Sequence, residues 1–313
     1  MRAKTHLAVM FLAVAVIAAS FSFISRKVEE KVYFNQIAKQ PPTFLLADIG
    51  QKYKHLFRCP EISAKSALAV KFKKGSREIV FEKNKTAVLP IASLTKIMTA
   101  LTAEEIYPKE KLIKVSAQAI KQPEEAGSLK VGESLKVEDL IRIMLVESSN
   151  DAAYALAEAG GEIKTFVERM NEKARQLGLK NTKYFNPTGL DLESQDKKQY
   201  NFSTTEDLIK IGEHLLFRNK KILSFLSENN YPLYNPNGSL HHILRNTNLL
   251  LGKIKGIIGG KTGWTESARG CLLILLKCRS ADSYLVAVVL GSEDRFSDME
   301  KIIQYVKRKH KCN

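Results

Sequence analysis

Two kinds of hydrophobic pattern, kept apart along the chain, limit the folds this sequence can adopt. Residues 66–83 read as a β-hairpin. An apolar stretch (Ala67-Leu68-Ala69-Val70) is followed by a turn at Lys74-Gly75-Ser76 and then Ile79-Val80-Phe81. Strand-like runs return at residues 271–277 and 284–290, joined by a polar turn. Between these ends, apolar residues recur at helical spacing over 138–158, 163–177 and 205–217, and a last amphipathic helix is expected over about 298–308. Strands at both ends with helices between predict an α/β (α+β) fold. One antiparallel sheet is assembled from the two ends and flanked by helices, and an all-helical lobe is inserted in the middle. At 313 residues the chain can bury such a core, and 44% hydrophobic with 26% charged residues excludes a disordered chain.

The first residues bear on the compartment. Arg2 and Lys4 precede an apolar run over residues 7–24, broken only by Ser20 and Ser22 and closed by Arg26 and Lys27. The run is longer than the apolar core of most signal peptides and close to the minimum for a membrane span. A segment hydrophobic all round between basic flanks is no ordinary core helix. Residues 1–27 are therefore read as an export signal retained as a membrane anchor, although Ala18-Ala19-Ser20 offers a cleavage site. Residues 28–43, polar and ending in Pro41-Pro42, form a stalk, and residues 44–313 the functional domain. The domain is expected outside the cytoplasm, anchored at the membrane or in the periplasmic or cell-wall space.

Cysteine and charge fit that placement. Cys59, Cys271, Cys278 and Cys312 would sit where disulfides are permitted, and their spacing matches no zinc site. Cys271 and Cys278 are seven apart on one strand-like run, so they face opposite sides of a sheet and are not expected to pair. The connectivity is otherwise open. A formal net charge of +16 implies anionic surroundings. The basic residues are spread over the whole length and form no nucleic-acid motif, so a wall polymer or membrane surface is the expected environment.

Three short motifs carry chemistry. In the first, Ser93-Leu94-Thr95-Lys96 opens an apolar helix continuing through Ile97, Met98, Ala100 and Leu101. Positions three apart share a helix face, so the Lys96 amine can act as the base that a serine nucleophile needs. The plain alternative is an N-cap serine. Against it, a lysine in the first turn opposes the helix dipole, which favours the neutral amine a base requires. Ser194-Gln195-Asp196-Lys197 repeats the spacing, but in a polar stretch with no helix to present it. The second motif, Ser148-Ser149-Asn150, can turn a hydroxyl and an amide toward one cleft, or can be a simple polar turn. The third is Lys261-Thr262-Gly263, after Gly259-Gly260 and before Trp264; it can hold a carboxylate with a charge and a hydroxyl, or be a loop between strands.

Taken together and in this order, the motifs form the signature set of penicillin-binding proteins and serine β-lactamases. Pro90-Ile91-Ala92-Ser93-Leu94-Thr95-Lys96 resembles the active-site helix of the low-molecular-weight D-alanyl-D-alanine carboxypeptidases (peptidase S11), and Gly259-Gly260-Lys261-Thr262-Gly263-Trp264-Thr265 resembles their substrate strand. Phe185-Asn186-Pro187-Thr188-Gly189-Leu190, Ser203-Thr204 with Asp207, and Asn246-Thr247-Asn248-Leu249-Leu250 match as well, so the resemblance covers about residues 60–310. It departs at Ala268-Arg269-Gly270, where relatives usually show Ala-Gly. Larger relatives carry a further β-rich domain ending in an amphipathic membrane helix. This chain is expected to lack it, leaving the N-terminal segment as its membrane attachment.

The resemblance implies a β-lactamase/transpeptidase-like fold and a serine D,D-carboxypeptidase acting on peptidoglycan stem peptides, with β-lactams as covalent inhibitors and no metal or organic cofactor. It implies roles as follows. Ser93 is the nucleophile, Lys96 its base, and Ser148 the proton relay. Asn150 binds the peptide backbone, and Ser93 and Trp264 supply the oxyanion-hole N–H groups. Gly263 gives room for close approach, and Lys261, Thr262 and Arg295 read the terminal carboxylate. For Arg295 the alternative is a solvated arginine paired with Asp294 or Asp298. Endopeptidase action on cross-links is a variant of the same chemistry. A β-lactamase would need a deacylating glutamate, and none has a setting resembling that of the class A enzymes. A non-catalytic wall-binding protein would not require all three motifs.

Overall fold

The computed structural model describes residues 59–310 and 312, apart from 74, 124, 125, 195, 196, 280 and 281. The expected anchor and stalk, and residues 44–58 of the expected domain, lie outside the described residues. Cys59–Asn313 forms one compact unit. No helix among the described residues is long and apolar enough to cross a membrane.

Its centre is a five-stranded antiparallel sheet. The strands are β1 (Ser66–Lys73), β2 (Ser76–Lys83), β3 (Ile257–Thr265), β4 (Arg269–Lys277) and β5 (Ser283–Ser292), in the order β3-β4-β5-β1-β2. The two ends of the chain meet where β1 pairs with β5, from Ser66 against Leu290 to Lys73 against Ser283. Residues of β4 alternate between the two faces. Cys271, Leu273 and Leu275 join one core, and Leu272, Ile274 and Leu276 the other. Because both faces are covered, the strand reads as a continuous apolar run. The same alternation places Cys271 and Cys278 in different cores, as expected.

The helical lobe covers one face. Its elements are α1 (Thr95–Ile106), α2 (Ala117–Ile120), α3 (Val137–Val146), α4 (Asn150–Glu158), α5 (Ile163–Gln176), α6 (Thr205–Phe217) and α7 (Lys220–Ser227). Nine consecutive residues of α1, Thr95 through Ala103, are buried, because other helices surround it. On the opposite face lies α8 (Arg295–His310), whose Met299, Ile302, Ile303 and Val306 enter the second core. Its C-terminal end is fastened by a Cys278–Cys312 disulfide.

Three features depart from the sequence reading. The helical stretch over 138–158 is two helices, interrupted at Ser148, which takes a left-handed backbone (φ 66°). α8 starts three residues before the expected 298, because the Asp294 carboxylate accepts from the Phe296 and Ser297 N–H groups, both at 3.1 Å, and so caps it. A hairpin of Asn230–Tyr234 and Leu240–Arg245 is present that hydrophobic periodicity did not reveal.

Candidate active site

The first motif sits where the helical lobe meets the edge strand β3. Ala92 is left-handed (φ 46°), and a single 3₁₀ turn, Ala92–Leu94, leads into α1 and leaves Ser93 half-buried. One turn on, Lys96 is fully buried, with its Nζ 2.9 Å from Ser93 Oγ. The same nitrogen donates to Asn150 Oδ1 at 2.7 Å and to the Thr188 carbonyl at 2.6 Å. These contacts suit the amine to the role of a base. When the amine is neutral, its two N–H bonds go to the two carbonyl oxygens and its lone pair is left facing the serine hydroxyl. Ser194 ends a strand of a short hairpin (Leu192–Ser194, Lys197–Gln199) instead of opening a helix, so the second copy of the motif has no comparable setting.

The nucleophile turn is clamped from several sides. Gly189 is left-handed (φ 89°), and a Cβ there would stand 2.1 Å from the Ala92 carbonyl oxygen. A Cβ at Gly263 would stand 3.0 Å from the Ser93 nitrogen. Buried Asn201 bridges the segments. Its Nδ2 donates to Thr95 Oγ1 (3.0 Å) and the Asn186 backbone carbonyl (2.9 Å), and its backbone carbonyl accepts from Ile91 N–H (3.1 Å). Sequence reasoning quoted the Asn186-Pro187-Thr188-Gly189 stretch without a role and passed over Asn201. The contributions of Thr188 and Gly189 run through the backbone, where residue type carries no signal.

The other two motifs meet each other. Lys261, at the middle of β3 and 1% exposed, donates from Nζ to Ser148 Oγ at 2.8 Å. Burial pushes its pKa well down, and the nearby Lys96 and Arg295 cations add to the effect. Glu147, just before Ser148, is held by the hairpin, accepting from Arg245 N–H at 3.1 Å and lying 2.9 Å from His242 Nε2. Both His241 and His242 turn the same way because the strand is irregular between Leu240 and His242, which overrides the alternation expected of neighbours.

The remaining expected residues are near but differently engaged. Asn150, 2% exposed, spends its carbonyl on Lys96 and an amide N–H on the Pro123 carbonyl (2.8 Å), so it holds the Lys96 amine in place. The Thr262 hydroxyl shares a 2.6 Å hydrogen bond with that of Thr247. Trp264 is 51% exposed on β3, whose outer edge pairs with no other strand of the sheet among the described residues. Arg295 follows β5 and lies against Gly270, where a Cβ would be 3.1 Å from the arginine's own Cβ. Among the described residues it forms no ion pair with Asp294 or Asp298. Asp298 is taken by Ser63, Ala64 and Ser292. The Arg295 Nε is buried without a hydrogen-bond partner. Among the described residues, no group of three or more His, Cys, Asp or Glu is arranged to hold a metal ion.

Comparison with known proteins bears on this arrangement. A family model described as D-alanyl-D-alanine carboxypeptidase matches residues 54–294. The chain is 32% identical over 260 residues to the D-alanyl-D-alanine carboxypeptidase DacF of Bacillus subtilis, covering 79% of this chain and 64% of that relative, so it spans just under two thirds of that protein's length. It is 31% identical over 255 residues to a D-alanyl-D-alanine endopeptidase of Pseudomonas aeruginosa, covering 79% of this chain and 78% of the relative. Among solved structures it is similar to the Streptomyces K15 DD-transpeptidase, with a TM-score of 0.70 at 27% identity over 79% of this chain and 98% of that one. Since the family match runs over most of the sequence and the fold agrees with it, the chain belongs to the D-alanyl-D-alanine carboxypeptidase family, peptidase S11.

Proposed function

We propose that the chain is a serine D,D-carboxypeptidase that removes the terminal D-alanine from peptidoglycan stem peptides outside the cytoplasmic membrane, held there by its N-terminal segment. The observation that carries the reading is the buried Lys96 amine, 2.9 Å from Ser93 Oγ and held on its other sides by two carbonyl oxygens. A lysine so placed takes a proton from the serine and returns it within one site.

The steps follow from the residues. Ser93 Oγ bonds to the carbonyl carbon of the penultimate D-alanine as its proton passes to Lys96 Nζ. Negative charge on the carbonyl oxygen is met by the N–H groups of Ser93 and Trp264. The C–N bond then breaks; Ser148 Oγ, oriented by Lys261, gives its proton to the departing amine and takes the one held by Lys96, which is neutral again. Water, losing a proton to the same base, attacks the acyl carbon, and Ser93 Oγ leaves reprotonated. Arg295, with Lys261 and Thr262, receives the substrate's terminal carboxylate. β3 is the last strand on its side of the sheet among the described residues, and the peptide would lie alongside it as an added strand. β-Lactams would acylate the same serine.

A labelled penicillin should modify the wild-type protein and the Ser194→Ala variant, and should fail to modify Ser93→Ala. Labelling that survives Ser93→Ala would overturn the assignment. The relatives include proteins named endopeptidases, so cutting of D,D cross-links is a second reading. Incubation with purified monomeric and cross-linked muropeptides separates the two by product mass. Loss of one alanine from the monomer is the outcome expected here, and conversion of dimer to monomers alone would favour the second reading.

A further inference from the structure

The end of the sheet far from Ser93 has a surface that the peptidase chemistry does not use. Ser93 lies by Gly263, and Gly263 pairs with Cys271 near the start of β4. The other end of β4 is Lys277, six residues on from Cys271, and strand rise puts it roughly 20 Å away. The β1–β2 turn, the β4–β5 turn and the C-terminus of α8 come together at that pole. Lys73 pairs with Ser283, Lys71 Nζ donates to the His310 carbonyl at 2.6 Å, and Cys278 is bonded to Cys312. Lys307 Nζ reaches the Lys255 carbonyl at 3.1 Å and ties in the loop before β3.

Exposed cations crowd this pole. Lys73, Arg77, Lys255, Lys277, Arg279 and Arg308 are all exposed. Among the described residues, the acids near them are Glu78, whose carboxylate faces His310 at 3.1 Å, Asp282, and, just past Phe217, Glu104 and Glu138, which pair with Lys221 at 3.7 and 3.4 Å. Amid this charge stands an apolar side chain. Phe217, the last residue of α6, is 49% exposed while edge-on to Phe72 (5.9 Å) and Tyr284 (6.0 Å), and exposed Arg218 and Lys220 follow it. A solvated polyanion would gain nothing from an exposed ring. A ring among cations suits the boundary between headgroups and acyl chains.

The course of the chain agrees. Ser63 bonds to Asp298 near the start of α8, the Glu61 carbonyl accepts from Lys301 Nζ at 3.3 Å, and Cys59 Sγ lies 3.9 Å from Tyr305 Oη. Followed backwards from Ser63 to Cys59, the chain advances along α8 about one turn at a time, toward the basic pole. The residues that precede Cys59 in sequence include the apolar run at 7–24.

From these observations we infer that the pole carrying Phe217 rests on a membrane surface rich in anionic lipid, with the catalytic cleft at the opposite end of the domain, facing away from the bilayer. The inference rests on the extracytoplasmic placement proposed above and not on the peptidase reaction. Each cation near an anionic bilayer favours docking about fivefold.

The test uses the full chain reconstituted into vesicles of phosphatidylcholine, with or without phosphatidylglycerol, and lipids brominated near the headgroup. The tryptophan introduced by Phe217→Trp should be quenched in the anionic vesicles and released by high salt, while Trp264 emission in the wild type should not change. Combined Lys73→Glu, Arg77→Glu, Lys277→Glu and Arg308→Glu should reduce the docking equilibrium constant by at least several-hundredfold. The milder set of Gln substitutions serves if the reversals impair folding. Absence of quenching, equal quenching in purely zwitterionic vesicles, or quenching that survives the reversals would each overturn the proposal. So would tight binding of soluble polyphosphate without lipid quenching, which would assign the pole to a wall polyanion. Because the readout needs no turnover, it decides this proposal whether or not the peptidase reading stands.

Discussion

Lys261 sits with 1% of its surface exposed and two other cations in its field. Its ammonium donates to Ser148 Oγ and the Thr262 carbonyl, which offsets only part of the cost of burying a charge. Lys261→Met should therefore abolish acylation by penicillin and yet raise Tm by a few degrees. The pH dependence has a definite sign. With the folded pKa below the unfolded value of about 10.4, the unfolded chain binds the extra proton between the two, so the destabilisation by Lys261 is full at low pH and fades as pH rises through that window. Melting wild type and variant in parallel should show the Tm gap closing toward pH 10; a gap that widened would contradict the burial argument. Arg295 calls for a different measurement. Its guanidinium has a buried Nε without a partner, and a substrate carboxylate would provide one for the group. Arg295→Ala should lower kcat/KM for D-alanyl-D-alanine peptides by roughly a hundredfold, about 2–3 kcal/mol, with little change for peptides amidated at the C-terminus. Equal losses on both substrates would show a structural role instead.

At the scale of elements, the site depends on segments held together through their backbones. The Thr188 carbonyl helps to fix Lys96, and Gly189 packs directly on the Ala92 carbonyl in a conformation that side chains disfavour. Gly189→Ala should push the nucleophile turn off its geometry, cutting the acylation rate far more than overall stability, because the surrounding core is untouched. Comparing penicillin acylation kinetics with the melting curve separates the two effects, and a proportional fall in both would mean general unfolding. The break between α3 and α4 belongs to the same design. Ser148 is left-handed and Ser149 caps α4 by accepting from Ala152 N–H at 3.1 Å, so a single long helix becomes two and a hydroxyl is turned toward Lys261.

For the molecule as a whole, the sheet is closed by strands from distant parts of the chain, and the Cys278–Cys312 bond fastens the last helix to it across a separation of 34 residues. A loop of that length implies roughly 4 kcal/mol of stabilisation in the chain-entropy account. Reduction should lower Tm on the order of 10 °C. Acylation at 25 °C should be unaffected, since the bond lies at the end of β4 remote from Ser93. Paired thermal scans and labelling assays with and without reductant would show this, and a loss of labelling on reduction would mean that α8 supports the site more directly.

The sequence by itself determined the antiparallel sheet, because strand and helix periods are local properties that do not mix, and it marked Ser93, Lys96, Ser148 and Lys261, because each motif is a short spacing with chemical meaning. It also determined that Cys271 and Cys278 point apart, since alternation along a strand is local. Only the tertiary structure decided the rest. It paired Cys278 with Cys312, joined Ser148 to Lys261 across 113 residues, turned Asn150 onto Lys96 and brought the Thr188 carbonyl to the same amine. It also gathered the cations of the far pole from turns and a helix end widely separated in sequence. Contacts made by backbone carbonyls and by residues far apart depend on how packed elements converge in space, and no local pattern of side chains records that.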